Sequence, residues 1–293
     1  MSDFLSLLVN GASVGMIYAL VAVGFVIIFR ATRVLNFAHG EFMTVAAYLS
    51  VTLTLSVLAL PFVAAVGVAV VVTAVIGVLV FALLMRPLLG EALWAPVMVT
   101  IGLTVVAQSV IKIIWHGNPE ILRPPWPRTG VHIPGADILV SNYVLATIVI
   151  AGVFFALLIA FFRYVGLGRQ MRAAAENPRL ASWSGVNVMA LFAGAWAIAG
   201  FAAALAGVAV GVGGIVTAEL GAIGLRAIPA AILGGLDSVS GALIAALIVG
   251  FVEVAAAEYI SSSTRDIAAF CVMLAVLLVR PSGLLGSPEI KRI

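Results

Sequence analysis

Apolar residues fall in long continuous runs along this chain rather than in alternation with polar ones. The runs place helical spans at about Leu5–Phe29, Asn36–Leu58, Pro61–Met85, Leu93–Trp115, Asn142–Phe162, Val188–Val210, Ile223–Leu236, Val239–Glu258 and Arg265–Val279. A hydrocarbon core of about 30 Å is crossed by roughly 20 apolar residues as helix. Continuous runs exclude a transmembrane β-barrel, whose strands would alternate. The expected fold is all-α: a polytopic transmembrane bundle of eight to nine segments, some broken or short, forming one domain over residues 1–293. Ile223–Leu236 is short, holds Pro229 and ends just past Gly234–Gly235, so it reads as a short crossing or a re-entrant turn. Arg265–Val279 is also short and requires thinned lipid or burial against neighbours.

Polar residues interrupt the pattern at a few places. Asn36, His39 and Glu41 lie at the start of the second span, around Gly40, which permits a backbone break. A carboxylate deep in a bilayer is unfavourable by several kcal/mol. Two readings stand: the three residues cap a helix at the cytosolic interface, or an unwound turn offers polar groups to a solute. In either case Glu41 suits the first turn of a helix, where the dipole favours an anion. Further along, Gln108 is placed to bond a neighbouring helix or line a path, and Glu253 to pair with a residue such as Arg226 or line a path. Asp237 is placed to cap the helix that follows it. The pairs Gly11/Gly15 and Gly207/Gly211 suit close helix packing. "NFAHGEF" early and "AIPAAILGGLDSVSG" late give each half one interrupted apolar segment, a pattern that points to a transport site.

Composition agrees with this picture. Hydrophobic residues make up 64% of the chain and charged ones 9%, with a mean hydropathy of +1.26; soluble domains carry about 25% charged residues. Positive residues set orientation. With the loop bearing Arg163, Arg169, Arg172 and Arg179 in the cytoplasm, nine crossings put ten of the fifteen Lys and Arg at the inner side. The N-terminus then lies outside, and the tail with Arg280, Lys291 and Arg292 inside. The start, "MSDFLSLLV", lacks the basic segment of a signal peptide, so the first span is expected to be retained. The external loop 116–141 holds five prolines, Pro119, Pro124, Pro125, Pro127 and Pro134, and reads as a rigid lid or a binding element, with Trp115 and Trp126 at the interface. In the cytoplasmic loop, Asn177 is the expected cap of a short helix begun by Pro178. Leu180, Ala181 and Trp183 offer an apolar contact on it, and Gly185 ends it.

Catalytic and metal chemistry find little to work with. The histidines are His39, His116 and His132, and their spacing matches no metal site. The one cysteine, Cys271, leaves no intramolecular disulfide and no Cys–His pair in a plausible context. A phosphate-binding P-loop needs a lysine after its glycines, and the lysines, Lys112 and Lys291, follow no such loop. Energy for uphill movement has to come from another protein or an ion gradient. Nothing suggests a nucleic-acid partner.

Four stretches in order, "NFAHGEF", "RAAAENPRLASWSGVN", "LRAIPAAILGGLDSVSGALIAALIVGFVE" and "RPSGLLG", resemble the branched-chain amino-acid permease family of bacterial ABC importers. The resemblance implies a non-enzymatic permease in the bacterial inner membrane. It implies a second homologous permease, two cytosolic ATPases that hold ATP and Mg, and a periplasmic binding protein as partners. No cofactor is implied on this chain itself. It implies that loop 164–187 carries the coupling helix, with Ala174, Glu176, Asn177, Pro178, Arg179, Leu180, Ala181, Trp183 and Gly185 toward the ATPase. It implies that Asn36, His39, Glu41, Pro229, Gly234 and Gly235 line the path, with Gln108 and Glu253 as further candidates. Relatives with similar motifs carry urea, short amides or aromatic acids, so the cargo stays open. An ion-coupled carrier using Glu41 and Glu253, or a passive channel, is the rival from another class.

Overall fold

The computed structural model describes residues 2–55, 59–92, 94–127, 129–133 and 138–286. Pro134, Lys291 and Arg292, named above, lie outside the described residues. The chain folds as a helical bundle. Among the described residues seven helices are long and apolar enough to cross a membrane, and a shorter apolar stretch spans Ala222–Gly234. The elements are α1 (Ser2–Thr32), α2 (His39–Leu55), α3 (Phe62–Val80), α4 (Trp94–Trp115), α5 (Asn142–Tyr164), α6 (Gly166–Glu176), α7 (Pro178–Trp183), α8 (Val188–Gly213), α9 (Ala222–Arg226), α10 (Ile228–Gly234), α11 (Val239–Tyr259) and α12 (Arg265–Val279). A π turn over Phe81–Met85 and a 3₁₀ turn over Arg86–Leu88 prolong α3.

Lipid removes the hydrophobic drive between helices, so close packing of small residues holds a bundle together. α1 is the most buried long helix and sits against α11, α8 and α5. Gly15 faces the backbone of Ala246 and Leu247 on α11, and Gly250 fits against Gly15 in return. Gly207 on α8 receives the backbone of Met43 on α2, and Gly77 and Gly200 let α3 and α8 meet backbone to backbone. Both glycine pairs read from the sequence therefore mark close contacts, although Gly211 meets the Val216 and Leu122 side chains rather than backbone. α4 and α12 are the least buried crossings.

Two elements depart from the expected spans. Residues 34–38 are non-helical, and α2 begins only at His39. His39 lies against Gly24 and Phe25 of α1. Gly24 is eight residues short of Thr32, about 12 Å along the helix. The polar residues of "NFAHGEF" are thus inside the bundle and almost fully buried. The segment Ile223–Leu236 is two short helices, α9 and α10, joined at Ala227. The preceding residues 214–221 are not helical.

The loop 116–141 contains a feature an all-α reading omits. Gly130–Ile133 and Ile138–Ser141 pair as an antiparallel hairpin. A second bridge joins Glu120 to Val216, tying this loop to the start of the broken segment. Trp126 packs edge-on against Phe62, and Trp115 stacks on Tyr48 while donating to Thr52 Oγ1 at 2.7 Å.

Candidate functional site

The two interrupted segments meet. Glycine makes the approach possible: Gly40 packs against the Gly221 carbonyl, and a Cβ added at Gly224 would come within 2.6 Å of the Gly40 Cα. The first turn of α2 therefore touches the stretch where residues 214–221 become α9. Glu41 stands in that first turn, where backbone N–H groups favour an anion. A Cβ on Gly221 would lie 2.6 Å from Glu41 Oε1, so a side chain there would push the carboxylate aside.

Gln108 approaches from α4. Its side-chain amide donates to Glu41 Oε1 at 2.9 Å. Gln108 is fourteen residues from Trp94 and seven from Trp115, about 21 and 10 Å along α4, so this half-buried bond lies within the span of the helix. Thr100 Oγ1 donates to the Leu35 carbonyl at 3.3 Å, which keeps α4 alongside the entry to α2. Several polar atoms here have no hydrogen-bond partner among the described residues: Asn36 Nδ2, both ring nitrogens of His39, Glu41 Oε2 and Thr44 Oγ1. Asn36 Oδ1 accepts from the Ala38 amide at 3.1 Å, which shapes the turn into α2. The His39 ring faces the Val21 carbonyl without meeting hydrogen-bond geometry. Buried polar atoms in native proteins are normally satisfied. Atoms left in this way are free to bond water or another polar group.

The other expected path residues lie elsewhere. Pro229, Gly234 and Gly235 belong to α10 and its exit. Gly234 abuts the Gly241 backbone, and Gly235 takes φ 98°. The segment "RPSGLLG" folds back there: the Leu284 and Leu285 amides donate to the Leu233 and Gly234 carbonyls at 2.7 and 3.2 Å. Ser238, not Asp237, caps α11, its hydroxyl accepting from the Gly241 amide at 3.0 Å. Asp237 instead lies beside Gly286 and within electrostatic reach of Arg30, as do Glu176 and Arg172. Glu253 is fully buried between helices. It accepts from the Tyr18 hydroxyl at 2.8 Å and sits 3.3 Å from Arg265 Nε. Tyr18 and Arg265 are partners of Glu253 that sequence reasoning, which offered it a residue such as Arg226 or a path-lining role, did not name. A tyrosine in a long apolar run and an arginine opening a short span were the available signals. Gly221 and Gly224 were missed too, because glycine three residues apart is common in membrane helices.

The basic arm forms as two helices. Asn177 Oδ1 accepts from the Leu180 amide at 3.1 Å and caps α7, Pro178 opens it, and Gly185 leaves it at φ 80°. Ala174 on α6 is buried against the bundle, whereas Glu176, Asn177, Pro178 and Arg179 are exposed. Leu180 and Trp183 project outward, with Trp183 82% exposed. Ala181 does not share that outer surface: it turns inward and joins the apolar core. In a helix, positions three apart share a face and the residue between them does not.

Comparison with known proteins bears on this geometry. BraD of Pseudomonas aeruginosa PAO1, a high-affinity branched-chain amino acid transport system permease protein, is 30% identical over 308 residues, covering 99% of this chain and 98% of that one. LivH of Escherichia coli K12, of the same description, is 30% identical over 303 residues with the same coverage. A solved structure, PsaBC from Streptococcus pneumoniae in complex with Fab, matches the fold with a TM-score of 0.50 over 93% of this chain and 91% of that one, at 13% identity. The model of the family described as branched-chain amino acid transport system, permease component, matches residues 7–277. The chain is a multi-pass membrane protein and belongs to that permease family.

Proposed function

We propose that this chain is the membrane-spanning subunit of a binding-protein-dependent ABC importer that carries branched-chain or other small apolar amino acids across a bacterial inner membrane. The observation that carries this reading is end-to-end similarity to BraD and LivH, both named as branched-chain amino acid transport permease proteins. The chain pairs with a homologous permease, two cytosolic subunits that bind ATP and Mg, and a periplasmic binding protein. Its own lysines, Lys112 and Lys291, follow no P-loop, so the ATPase is a separate polypeptide.

The arm α6–α7 is the coupling element. Leu180 and Trp183 make an outward apolar surface on a capped, rigid turn, flanked by Arg179. Closure of the ATPases on ATP pulls this arm, and the bundle alternates between outward and inward openings. Arg30, Arg172, Glu176 and Asp237 gather where the arm meets the bundle, and Gly286 lies beside Asp237. That arrangement supports a cytosolic C-terminus and, with nine segments, an external N-terminus.

Reconstitution tests the proposal. The assembled importer in proteoliposomes takes up leucine only with ATP inside and the binding protein outside, and the isolated chain takes up none. Leucine uptake by the isolated chain, driven by a proton or sodium gradient, would replace the importer with a self-sufficient carrier.

A further inference from the structure

A narrow crevice separates the arm from the bundle. Met171, Arg172 and Ala175 of α6 form one wall, and residues of α1, α5, α8 and α11 form the other, enclosing about 370 Å³ with the open mouth included. Apart from Arg30 and Arg172 the lining is apolar, with Phe162 and Phe192 its largest side chains. Arg30 is half-buried and Arg172 exposed, and neither guanidinium makes a hydrogen bond or ion pair among the described residues. Asp237, Glu176 and Arg33 act on Arg30 electrostatically but do not line the crevice. The apolar walls continue outward. Leu167, one turn before Met171 on α6, and Ile159, one turn before Phe162 on α5, are exposed. The crevice therefore combines two cations with open donors, apolar sides and an apolar way out to the lipid-facing surface.

We propose that this crevice holds an anionic phospholipid of the cytosolic leaflet, its phosphate on Arg30 and Arg172 and one acyl chain against Phe162 and Phe192. The inference rests on the importer reading above and its orientation. A free phosphate or nucleotide would use the arginines and leave the apolar walls bare. An uncharged chain would cover the walls and leave both guanidiniums without an anion. A phospholipid answers both demands: the planar forks of arginine match phosphate oxygens, and burial of methylenes favours the chain. Such a lipid touches α6 on one side and α1 and α8 on the other. It ties the arm to the helices that the arm moves, so the strength of coupling depends on the anionic lipid of the membrane.

Lipid retention by the full-length chain in detergent tests the site. Native mass spectrometry is expected to show dioleoylphosphatidylglycerol retained about tenfold more than dioleoylphosphatidylcholine, the effect of two arginines on a net negative head group. Arg30→Gln with Arg172→Gln removes that preference. Arg86→Gln with Arg163→Gln takes the same charge from the same side of the membrane, outside the crevice, and keeps it. Ala175→Leu fills the crevice, keeps both arginines and also lowers retention. Excess inorganic phosphate does not displace the lipid. Equal retention of the two lipids by the parent overturns the proposal, as does an equal loss in the Arg86 and Arg163 control or full retention in Ala175→Leu. Displacement by phosphate would make this a site for soluble anions and overturn it as well. In proteoliposomes of the assembled importer, exchanging phosphatidylglycerol for phosphatidylcholine lowers binding-protein-stimulated ATP hydrolysis several-fold, and the chain with both Arg30→Gln and Arg172→Gln no longer responds to the exchange. Lipid retained with hydrolysis indifferent to it would overturn the tie to the arm. Absence of stimulated hydrolysis in every lipid would remove the importer reading, and retention by the chain alone would still decide the site.

Discussion

The Tyr18 hydroxyl donates to Glu253 Oε2 at 2.8 Å, joining residues 235 positions apart across α1 and α11. Arg265 adds α12 to the same oxygen at 3.3 Å. α12 buries little of itself, so this polar contact is a main tie to the bundle. Removing one partner of a buried charge is more damaging than replacing the pair, because the remaining charge loses its compensation. Arg265 is 37% exposed, so water weakens its share of the contact, and Arg265→Met is expected to lower stability by about 1–2 kcal/mol. Tyr18→Phe is expected to lower it by about 1–2 kcal/mol. Glu253→Gln combined with Arg265→Met recovers part of the loss. Thermal unfolding in detergent checks the order; equal stability of Arg265→Met and the parent would remove the tie.

If the arm α6–α7 couples to the ATPases as proposed, two kinds of substitution separate on it. Trp183 and Leu180 project outward, so Trp183→Glu and Leu180→Glu leave the fold intact. They are expected to abolish most of the stimulation of ATP hydrolysis by the binding protein. Ala181 is in the core, and Ala181→Asp places an unpaired carboxylate there, lowering stability by several kcal/mol. Thermal unfolding and ATP hydrolysis measured on the same samples distinguish the two. Full stimulation with Trp183→Glu would show that α7 contacts no ATPase.

Much of this was legible in the chain. The apolar runs gave the crossings because backbone in lipid must satisfy itself as helix, which makes hydropathy a direct structural signal. The ends of α7 were readable to the residue, since Asn177, Pro178 and Gly185 are local start and stop chemistry, but the inward turn of Ala181 was not. Contacts between distant segments were not. Nothing local links Tyr18 to Arg265, or Glu41 to Gly221. The depth of Asn36 and His39 was equally hidden, because an extended entry of a few residues leaves no periodicity. The hairpin in loop 116–141 escaped for a related reason: Gly130–Ile133 and Ile138–Ser141 are too short to show alternation.

The meeting of α2 with α9 depends on missing side chains. A methyl at Gly221 would lie 2.6 Å from Glu41 Oε1, and one at Gly224 equally near the Gly40 Cα. Gly221→Ala and Gly224→Ala are therefore expected to destabilise the chain by about 1–3 kcal/mol through overpacking. Gly102 on α4 offers the control, since a Cβ there meets nothing within 4 Å. Gly102→Ala is expected to be neutral or stabilising by about 0.5–1 kcal/mol, because glycine loses more freedom in a helix than alanine. Comparing the three unfolding temperatures tests whether the crossing is as close as described. Indifference to alanine at Gly224 would mean that α2 and α9 lie farther apart.

The C-terminal clasp makes the last prediction. Gly235 has φ 98° and Gly283 φ 79°, conformations that side chains disfavour. The two residues also face one another: a Cβ on Gly283 would lie 2.7 Å from the Gly235 amide nitrogen, and one on Gly235 2.6 Å from the Gly286 Cα. The Leu284 and Leu285 amides supply partners to the Leu233 and Gly234 carbonyls, which the end of α10 leaves open. Gly283→Ala adds a backbone cost of about 1–2 kcal/mol to the steric clash. It is expected to open the clasp and leave the α10 carbonyls without their partners. A chain ending at Arg280 removes the same bonds without strain. If the clasp holds α10, both variants speed hydrogen exchange at the amides of residues 231–235, whereas the amides of α4 keep their protection. Equal exchange at 231–235 in the shortened and full-length chains would show that the turn after α10 holds without the clasp.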